Sequence, residues 1–305
     1  MTTDVDKSTP TAFVRGRSLL GALIRSARPR QWVKNVLVCA APLASGQIGE
    51  LDVLFGTLVA FVSFCLVASA IYLINDVRDV EEDRRHPVKR FRPIAAGLVS
   101  PRAAVVLAVV LLAGGLGLSL LASVYLTVTL GVYAAASLAY SLWLKHEPVI
   151  DIAVVASGFL LRAIAGGVAA GIPLSQWFLL VASFGSLFMV AGKRYSELRE
   201  LGPGSETRRS LEGYSTTYLR FVWTLSATVT VAAYSLWAFE MANQSVGIKW
   251  EAISIAPFVL SLLRYAVDVD KGEAGEPEDI VLRDRGLQLL GVAWLLIFVL
   301  GVFDD

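Results

Sequence analysis

Long runs of apolar residues, separated by short charged segments, dominate the chain. A membrane-spanning helix needs about 20 mostly apolar residues, and seven segments meet this requirement clearly. They are residues 53–74, 103–122, 124–143, 150–170, 174–191, 219–239 and 287–303. Two further segments, residues 36–48 and 252–267, are short or interrupted by Pro42 and Pro257. With both included, the pattern predicts nine transmembrane helices.

The distribution of basic residues tests this helix count. Cytoplasmic segments of membrane proteins carry an excess of Lys and Arg. If the N-terminus is cytoplasmic and nine helices cross, 25 of the 27 Lys and Arg residues, counted along the sequence, lie on the cytoplasmic side. The exceptions are Lys249, on the opposite side, and Arg162, within a helix. The bias therefore supports nine helices and predicts that the C-terminus lies outside.

The overall composition agrees with a polytopic membrane protein. Hydrophobic residues make up 55% of the 305 residues and charged residues only 17%, which is outside the range of soluble globular domains. Cys39 and Cys65 both lie in apolar segments, so no disulfide framework is expected. We predict an all-α, multi-pass protein of the cell membrane, with a disordered cytoplasmic tail over residues 1–27 and a single nine-helix catalytic domain over residues 28–305.

The most informative polar segment is NDVRDVEEDRRHPVKRFRP, residues 75–93, which follows directly on the second predicted helix. If that helix continues to Asp83 at about 100° per residue, then Asn75, Asp76, Asp79 and Asp83 share one face. Carboxylates this close repel each other unless a cation lies between them. Oxygen ligands suit Mg²⁺, which takes one or two protein carboxylates and completes its shell with water and phosphates. The segment predicts a magnesium site with Asp76, Asp79 and Asp83 as catalytic residues; a solvated loop is the alternative.

Basic residues follow the acidic ones and are expected to hold the rest of an anionic substrate. The candidates for substrate binding in this first motif are Arg85, Lys89, Arg90 and Arg92. The interpretation assigns the whole segment, acidic and basic parts together, to one cytoplasmic site.

A second polar segment, GKRYSELRE at residues 192–200, contributes Lys193, Arg194 and Glu197 as candidates. Its alternative interpretation is an ordinary i,i+4 pair of Lys193 with Glu197 at a helix end. Further along, Arg208, Arg209 and Tyr214 are either a phosphate-binding edge or simple cytoplasmic charge. Because both loops are predicted on the cytoplasmic side, we expect them to meet over one cavity.

Arg162 is a charged residue inside a predicted transmembrane helix. A charge at bilayer depth costs about 3 kcal/mol on some scales, so it normally faces a polar cavity or a partner. Asp151 lies about three turns away on the same face. We predict a polar groove that contacts substrate, with a structural ion pair as the alternative. Lys34 and Asn35 precede the first predicted helix and are candidates for the same cavity.

These motifs resemble the UbiA superfamily of intramembrane prenyltransferases. The resemblance rests on NDxxDxxxD at the end of the second helix, RPIAAG at residues 92–97, RPRQWVKN at residues 28–35 and YSLWLK at residues 140–145. The last segment adds Tyr140 and Lys145 as candidate substrate-binding residues. The resemblance implies a helical bundle around a lipid-accessible cavity, with Mg²⁺ on the first motif holding a diphosphate.

The second motif departs from the superfamily pattern. Members usually carry DxxxD between the sixth and seventh helices, where this chain has Lys193, Arg194 and Glu197. The chain instead resembles the branch of decaprenyl-phosphate phosphoribosyltransferases of cell-wall arabinan synthesis. In that branch the diphosphate belongs to phosphoribosyl pyrophosphate (PRPP), and decaprenyl phosphate is the acceptor. Two phosphates outside the magnesium site call for Lys and Arg rather than Asp.

The resemblance therefore implies a membrane glycosyltransferase that needs Mg²⁺ and moves 5-phosphoribose from PRPP to a polyprenyl phosphate. Lys193, Arg194 and basic residues of the first motif are expected to bind the 5-phosphate, and Arg162 and Lys34 the lipid phosphate. Prenyl transfer to an aromatic acceptor and lipid transport are the alternative functions. No nucleic-acid partner is expected, and the sequence leaves the oligomeric state open, including a homo-oligomer.

Overall fold

The computed structural model describes residues 19–201, 211, 213–243, 247–275 and 277–303. Within these residues the regular structure is helical and contains no strand. The long helices are α3 (Leu51–Arg78), α5 (Pro101–Ser119), α6 (Val124–Leu142), α7 (Ile150–Ala170), α8 (Gln176–Leu201), α9 (Thr216–Ala242), α10 (Trp250–Lys271) and α12 (Arg285–Phe303). The short helices are α1 (Leu19–Ser26), α2 (Ala40–Ala44), α4 (Val80–Arg85) and α11 (Pro277–Arg283).

Eight of the nine predicted segments are confirmed as helices long and apolar enough to cross a membrane, as counted over the described residues. They include the doubtful segment at residues 252–267, which lies within α10 despite Pro257. The Pro257 carbonyl, four positions before Ser261, accepts a hydrogen bond from the Ser261 hydroxyl at 2.8 Å. The all-helical, multi-pass class of the fold follows from these eight helices.

The ninth predicted helix, at residues 36–48, is not a long helix. The chain forms a 3-10 helix at Pro29–Cys39 and then the short helix α2. The Val38 carbonyl lies against α7 at Gly166, where an added Cβ would collide with it, so only glycine permits this approach. Packing against protein lets an irregular backbone replace a regular membrane helix. The count of nine is not confirmed, and the side on which the C-terminus lies stays a prediction.

The chain divides into two compact units, and the single catalytic domain over residues 28–305 stays a prediction. The described part of the first unit comprises residues 19–33 and 65–114. In it, Ala22 of α1 is buried with Ala70, Leu73 and Ile94. Because this apolar face is buried, residues 19–26 are helical, and the predicted disordered tail to residue 27 is too long. Residues 1–18 of that tail lie outside the described residues.

The second unit comprises residues 34–64 and the described residues from 115 onward. In it, α8 packs along α9, α10 packs along α12, and α7 contacts both α6 and α8. Its core includes the buried side chains of Phe188, Tyr195, Leu219 and Val269. The Ser215 hydroxyl caps the N-terminus of α9 by accepting a hydrogen bond from Tyr218 N at 3.1 Å. These helices fix the positions of the polar side chains on α6, α7 and α8.

Candidate functional site

The first cluster of polar side chains lies in the first unit, where α3 and α4 meet at Asp79. The predicted continuous helix is interrupted there, since Asp79 has φ −89° and ψ 11°. Bonds from Asp79 N to Asn75 O at 2.9 Å and from Asp83 N to Asp79 O at 2.8 Å keep the helical i to i−4 pattern through the interruption. Asp76 and Asp83 are seven residues apart, about two turns, and therefore keep a common face.

Two arginines hold these carboxylates. Asp76 and Asp83 are buried, each with 3% of its side chain exposed. Arg92 Nη1 donates hydrogen bonds to Asp76 Oδ1 at 3.2 Å and to Asp83 Oδ2 at 2.7 Å. Arg28 Nη2 donates to the same Asp76 Oδ1. Since burying an unpaired charge is costly, the two guanidinium groups are what allow these carboxylates to lie buried side by side.

The carboxylate pair suits a divalent cation that shares its shell with phosphate. Asp76 Oδ1 and Asp83 Oδ2 both accept hydrogen bonds from Arg92 Nη1, at 3.2 and 2.7 Å, so the two oxygens lie within about 6 Å of each other. Mg²⁺ binds through one or two carboxylates plus phosphate oxygens and water. Within the described residues, no three His, Cys, Asp or Glu side chains form a group that could hold a metal. The residues fit Mg²⁺ if substrate oxygens complete the shell, and Asn75 and Asp79 are half-buried at the same junction.

The predicted basic residues of this motif have different environments. Arg92 contacts the carboxylates of both Asp76 and Asp83. Arg85 and Arg90 are exposed, Lys89 is half-buried, and the Arg90 guanidinium lies 4.8 Å from the centre of the Phe91 ring. Arg92 is therefore the basic residue of this motif with the best-defined role.

Arg28 is a residue of this cluster that the sequence analysis did not single out. Its guanidinium lies over the Tyr72 ring, 5.0 Å from the ring centre. Its backbone has φ 53°, a conformation rare for a residue other than glycine. The signal was its place at the start of RPRQWVKN, but sequence spacing alone could not pair it with Asp76, 48 positions away.

The second cluster lies in the second unit, around Arg194 on α8. Arg194 donates to both oxygens of Asp151, at 3.2 and 3.1 Å, to Glu197 at 2.9 Å, and to the Tyr140 hydroxyl at 3.1 Å. The Tyr140 hydroxyl donates to Asp151 Oδ1 at 2.8 Å. The exposed fraction of the side chain is 10% for Arg194 and 1% for Asp151. Arg194 therefore connects α6, α7 and α8. Because two carboxylates occupy its donors, the structure favours this structural role over the predicted contact with a phosphate.

Lys193 stands apart from that network. Its Nζ lies 3.9 Å from Glu197 Oε1, the i,i+4 pair that the sequence offered as an alternative. Its side chain is 39% exposed, whereas the Glu197 side chain is 15% exposed. A long contact to an acid already bonded by Arg194 leaves the Lys193 ammonium able to contact an anionic ligand.

Gly213 and Tyr214, just before α9, pack against the start of α7. The Tyr214 hydroxyl accepts a hydrogen bond from Val149 N at 2.8 Å, and a Cβ at Gly213 would collide with the Pro148 ring. Val149 has φ 70°, which is strained for a β-branched residue. Burial raises the pKa of the Tyr214 hydroxyl, which keeps it neutral. Tyr214 thus has a packing role, while Arg208 and Arg209 lie outside the described residues.

Arg162 on α7 is buried, with 5% of the residue exposed. Its Nε donates to Asn35 Oδ1 at 2.8 Å, its Nη1 to the Gly158 carbonyl at 2.6 Å, and its Nη2 to the Tyr133 hydroxyl at 3.0 Å. All three of these partners are uncharged groups. Asp151, which the sequence placed on the same face, bonds Arg194 instead. Arg162 therefore fixes the segment of Asn35 onto α7, in addition to any contact with substrate.

The two remaining predicted lysines occupy short 3-10 helices. Lys34 is half-buried in Pro29–Cys39, next to Asn35. Lys145 is half-buried in Leu144–His146, between α6 and α7. Their roles in substrate binding stay predictions.

Comparison with known sequences places the chain among membrane transferases. The profile of the UbiA prenyltransferase family matches residues 36–282. A decaprenyl-phosphate phosphoribosyltransferase of Mycobacterium tuberculosis is 56% identical and covers 91% of this chain and 93% of its own. The enzyme of the same name from Corynebacterium glutamicum is 53% identical, covering 94% of this chain and 88% of its own.

Comparison with solved structures supports the fold. A UbiA homologue from Archaeoglobus fulgidus, bound to DMAPP and Mg²⁺, matches with a TM-score of 0.69 over 92% of this chain and 99% of its own. A digeranylgeranylglyceryl phosphate synthase matches with a TM-score of 0.66 over 94% of this chain and 99% of its own. At 16% and 19% identity, these likenesses concern the fold alone.

Proposed function

Because this chain belongs to the UbiA prenyltransferase family, we propose that it transfers 5-phosphoribose from PRPP to decaprenyl phosphate and releases pyrophosphate. The observation that carries this proposal is the 53–56% identity, over more than nine-tenths of the chain, to relatives named decaprenyl-phosphate phosphoribosyltransferase. The clusters around Asp76 and Arg194 are compatible with it. The product serves as an activated precursor of cell-wall arabinan.

The first cluster is assigned to the pyrophosphate of the donor. Asp76 and Asp83, together with Asn75 and Asp79 of the same motif, would hold Mg²⁺. When bound, Mg²⁺ neutralises charge that develops on the departing pyrophosphate. Arg92, next to the two carboxylates, is in position to donate hydrogen bonds to phosphate oxygens, with Arg85, Lys89 and Arg90 as further cations of the same segment.

The reaction itself requires no general base from the protein. The bond between C1 of the ribose and the pyrophosphate oxygen breaks, and its electron pair leaves with pyrophosphate. An oxygen of the lipid phosphate, which is ionised at neutral pH, forms the new bond to C1. The protein's task is to position the two substrates and to stabilise charge in a site with little water.

The second cluster is assigned to a phosphate outside the metal site. Lys193, whose side chain is 39% exposed, is more accessible than Arg194, and we assign it to the 5-phosphate of PRPP. Arg194, Asp151, Glu197 and Tyr140 hold the segment on which Lys193 lies. Lys34, Lys145 and Arg162 remain candidates for the phosphate of the lipid acceptor.

The orientation in the membrane follows from the charge bias. We propose that the protein lies in the plasma membrane with its N-terminus and active site on the cytoplasmic side. PRPP is a soluble cytoplasmic metabolite, so a site on that side has access to both the donor and the lipid headgroup. Reporter fusions at the two termini test this arrangement.

A product assay tests the proposed reaction. The purified protein, in nanodiscs that contain decaprenyl phosphate, is given PRPP labelled in its ribose and Mg²⁺. We expect label in the lipid fraction, recovered as phosphoribosylated decaprenyl phosphate by mass spectrometry, and no product with EDTA. Asp76→Asn should form far less product than the wild type. Its matched control is Glu82→Gln, because Glu82 is an exposed acid of the same segment.

Other outcomes would redirect the assignment. Labelled product from a prenyl diphosphate and an aromatic acid, without use of PRPP, would make the protein an aromatic prenyltransferase. Movement of decaprenyl phosphate between leaflets without covalent change would make it a transporter.

A further inference from the structure

The two buried carboxylates of the first cluster are matched by two guanidinium groups. Asp76 and Asp83 supply two carboxylates, and Arg28 and Arg92 supply two guanidinium groups that contact them. Arg92 Nη1 lies between the two acids, in the position from which a shared cation would contact both. The arginines therefore do for these carboxylates what a metal ion would otherwise do.

The two arginines are more accessible than the acids they cover. The exposed fraction of the side chain is 28% for Arg28 and 30% for Arg92, against 3% for each aspartate. A long side chain at the surface can move to another partner without unfolding its surroundings. The carboxylates lie on α3 and α4, so the movable groups are the cations.

The charge balance restricts how a divalent ion can enter. A metal added alone must either displace the two arginines from the buried carboxylates or lie next to them as a like charge, and both are unfavourable. A metal that arrives with a diphosphate brings its own negative charge. The displaced guanidinium groups then gain phosphate oxygens as new partners, and Arg pairs with phosphate particularly well.

We propose that, before ligand binds, Arg28 and Arg92 occupy the place of the divalent cation, so that metal and diphosphate load together rather than one after the other. On loading, both guanidinium groups pass from the aspartates to the phosphate oxygens. This inference rests on the proposed function in one respect, that the ligand carries a diphosphate. It adds Arg28 to the site and gives Arg92 two successive sets of partners.

The test measures metal binding without turnover. Mn²⁺ is titrated into the purified protein in nanodiscs, and free Mn²⁺ is followed by electron paramagnetic resonance, with and without inorganic pyrophosphate. In the wild-type protein, Mn²⁺ should bind at least tenfold more tightly with pyrophosphate than without it. The Mn²⁺ held by free pyrophosphate in solution is measured separately and subtracted. In Arg92→Gln, Mn²⁺ alone should bind at least fivefold more tightly than in the wild type, and the gain from pyrophosphate should shrink.

The opposite signs of these two effects distinguish exchange from a merely structural arginine. Arg102→Gln is the matched control, because Arg102 is an exposed arginine of the same unit at the start of α5, and it should change neither affinity. If Arg92→Gln does not fold, Arg28→Gln decides, with the same expected signs. Mn²⁺ that binds these variants no more tightly than the wild type would overturn the proposal.

This result is independent of the identity of the donor. If the opposite effects are found but PRPP is not a substrate, the proposed function fails and the exchange of cations stands. If PRPP is a substrate but Mn²⁺ alone binds as tightly as Mn²⁺ with pyrophosphate, the exchange fails and the function stands.

Discussion

The clusters around Asp76 and Arg194 use the same chemistry, Arg to Asp hydrogen bonds, but differ in which partner is accessible. In the first cluster the acids are buried and the arginines are about 30% exposed. In the second, Arg194 and Asp151 are both enclosed, at 10% and 1% exposure. An accessible cation can exchange its partner, whereas an enclosed ion pair is a fixed connection between helices. Exposure, more than residue type, separates the proposed ligand site from the scaffold.

The largest expected effect comes from removing a carboxylate of the exchangeable cluster. Asp76→Asn or Asp83→Asn should lower kcat/KM for PRPP on the order of 10³-fold or more, because the charge that holds the metal and diphosphate is lost. The labelled-product assay measures this change. Near wild-type activity in both variants, with Glu82→Gln as the matched control, would remove the cluster from the chemistry.

Breaking the enclosed pair should chiefly affect stability. Arg194→Met leaves Asp151 and Glu197 without their shared cation, and loss of one partner of a buried pair costs about 3–5 kcal/mol. Unfolding in mild detergent, compared with the wild type, measures the loss. Adding Asp151→Asn to Arg194→Met should recover part of the stability. If Arg194→Met is as stable as the wild type and only its KM for PRPP rises, Arg194 is a ligand and the distinction between the clusters fails.

Lys193 is the neighbour of the enclosed Arg194 in the sequence but is proposed to bind substrate. Lys193→Met should raise KM for PRPP about tenfold, the value of one charge-assisted contact of about 1.4 kcal/mol, while the stability of the protein changes little. Steady-state kinetics with PRPP as the varied substrate gives the answer. The exposed Lys271, at the end of α10, offers Lys271→Met as the control. An unchanged KM would refute the assignment to the 5-phosphate.

The smallest expected effect concerns Tyr214, whose hydroxyl accepts a hydrogen bond from Val149 N at the start of α7. Tyr214→Phe leaves the Val149 N–H without its hydrogen bond and should cost about 1 kcal/mol of unfolding free energy, with activity nearly unchanged. Thermal unfolding and the product assay together measure this. A loss of activity much larger than the loss of stability would place Tyr214 in contact with substrate.

The sequence predicted the features that depend on neighbours along the chain. Apolar runs gave eight helices, and the spacing of Asp76 and Asp83 gave their common face. The segment at residues 36–48 was mistaken for a long helix, because its close approach to Gly166 is a tertiary contact that periodicity does not record. The partners of Arg28 and Arg194 lie 48 and 43 positions away. Sequence spacing could not distinguish Arg92, which bridges two carboxylates, from Arg194, which is held in a buried ion pair.

The most direct test of the central claim compares two substrate pairs on one preparation. The protein in nanodiscs receives PRPP with decaprenyl phosphate or, separately, a prenyl diphosphate with an aromatic acid, and pyrophosphate release is measured. We predict release with the first pair that depends on the lipid, on Mg²⁺ and on Asp76. Release with the second pair alone, or release from PRPP that is unchanged in Asp76→Asn, would contradict the account.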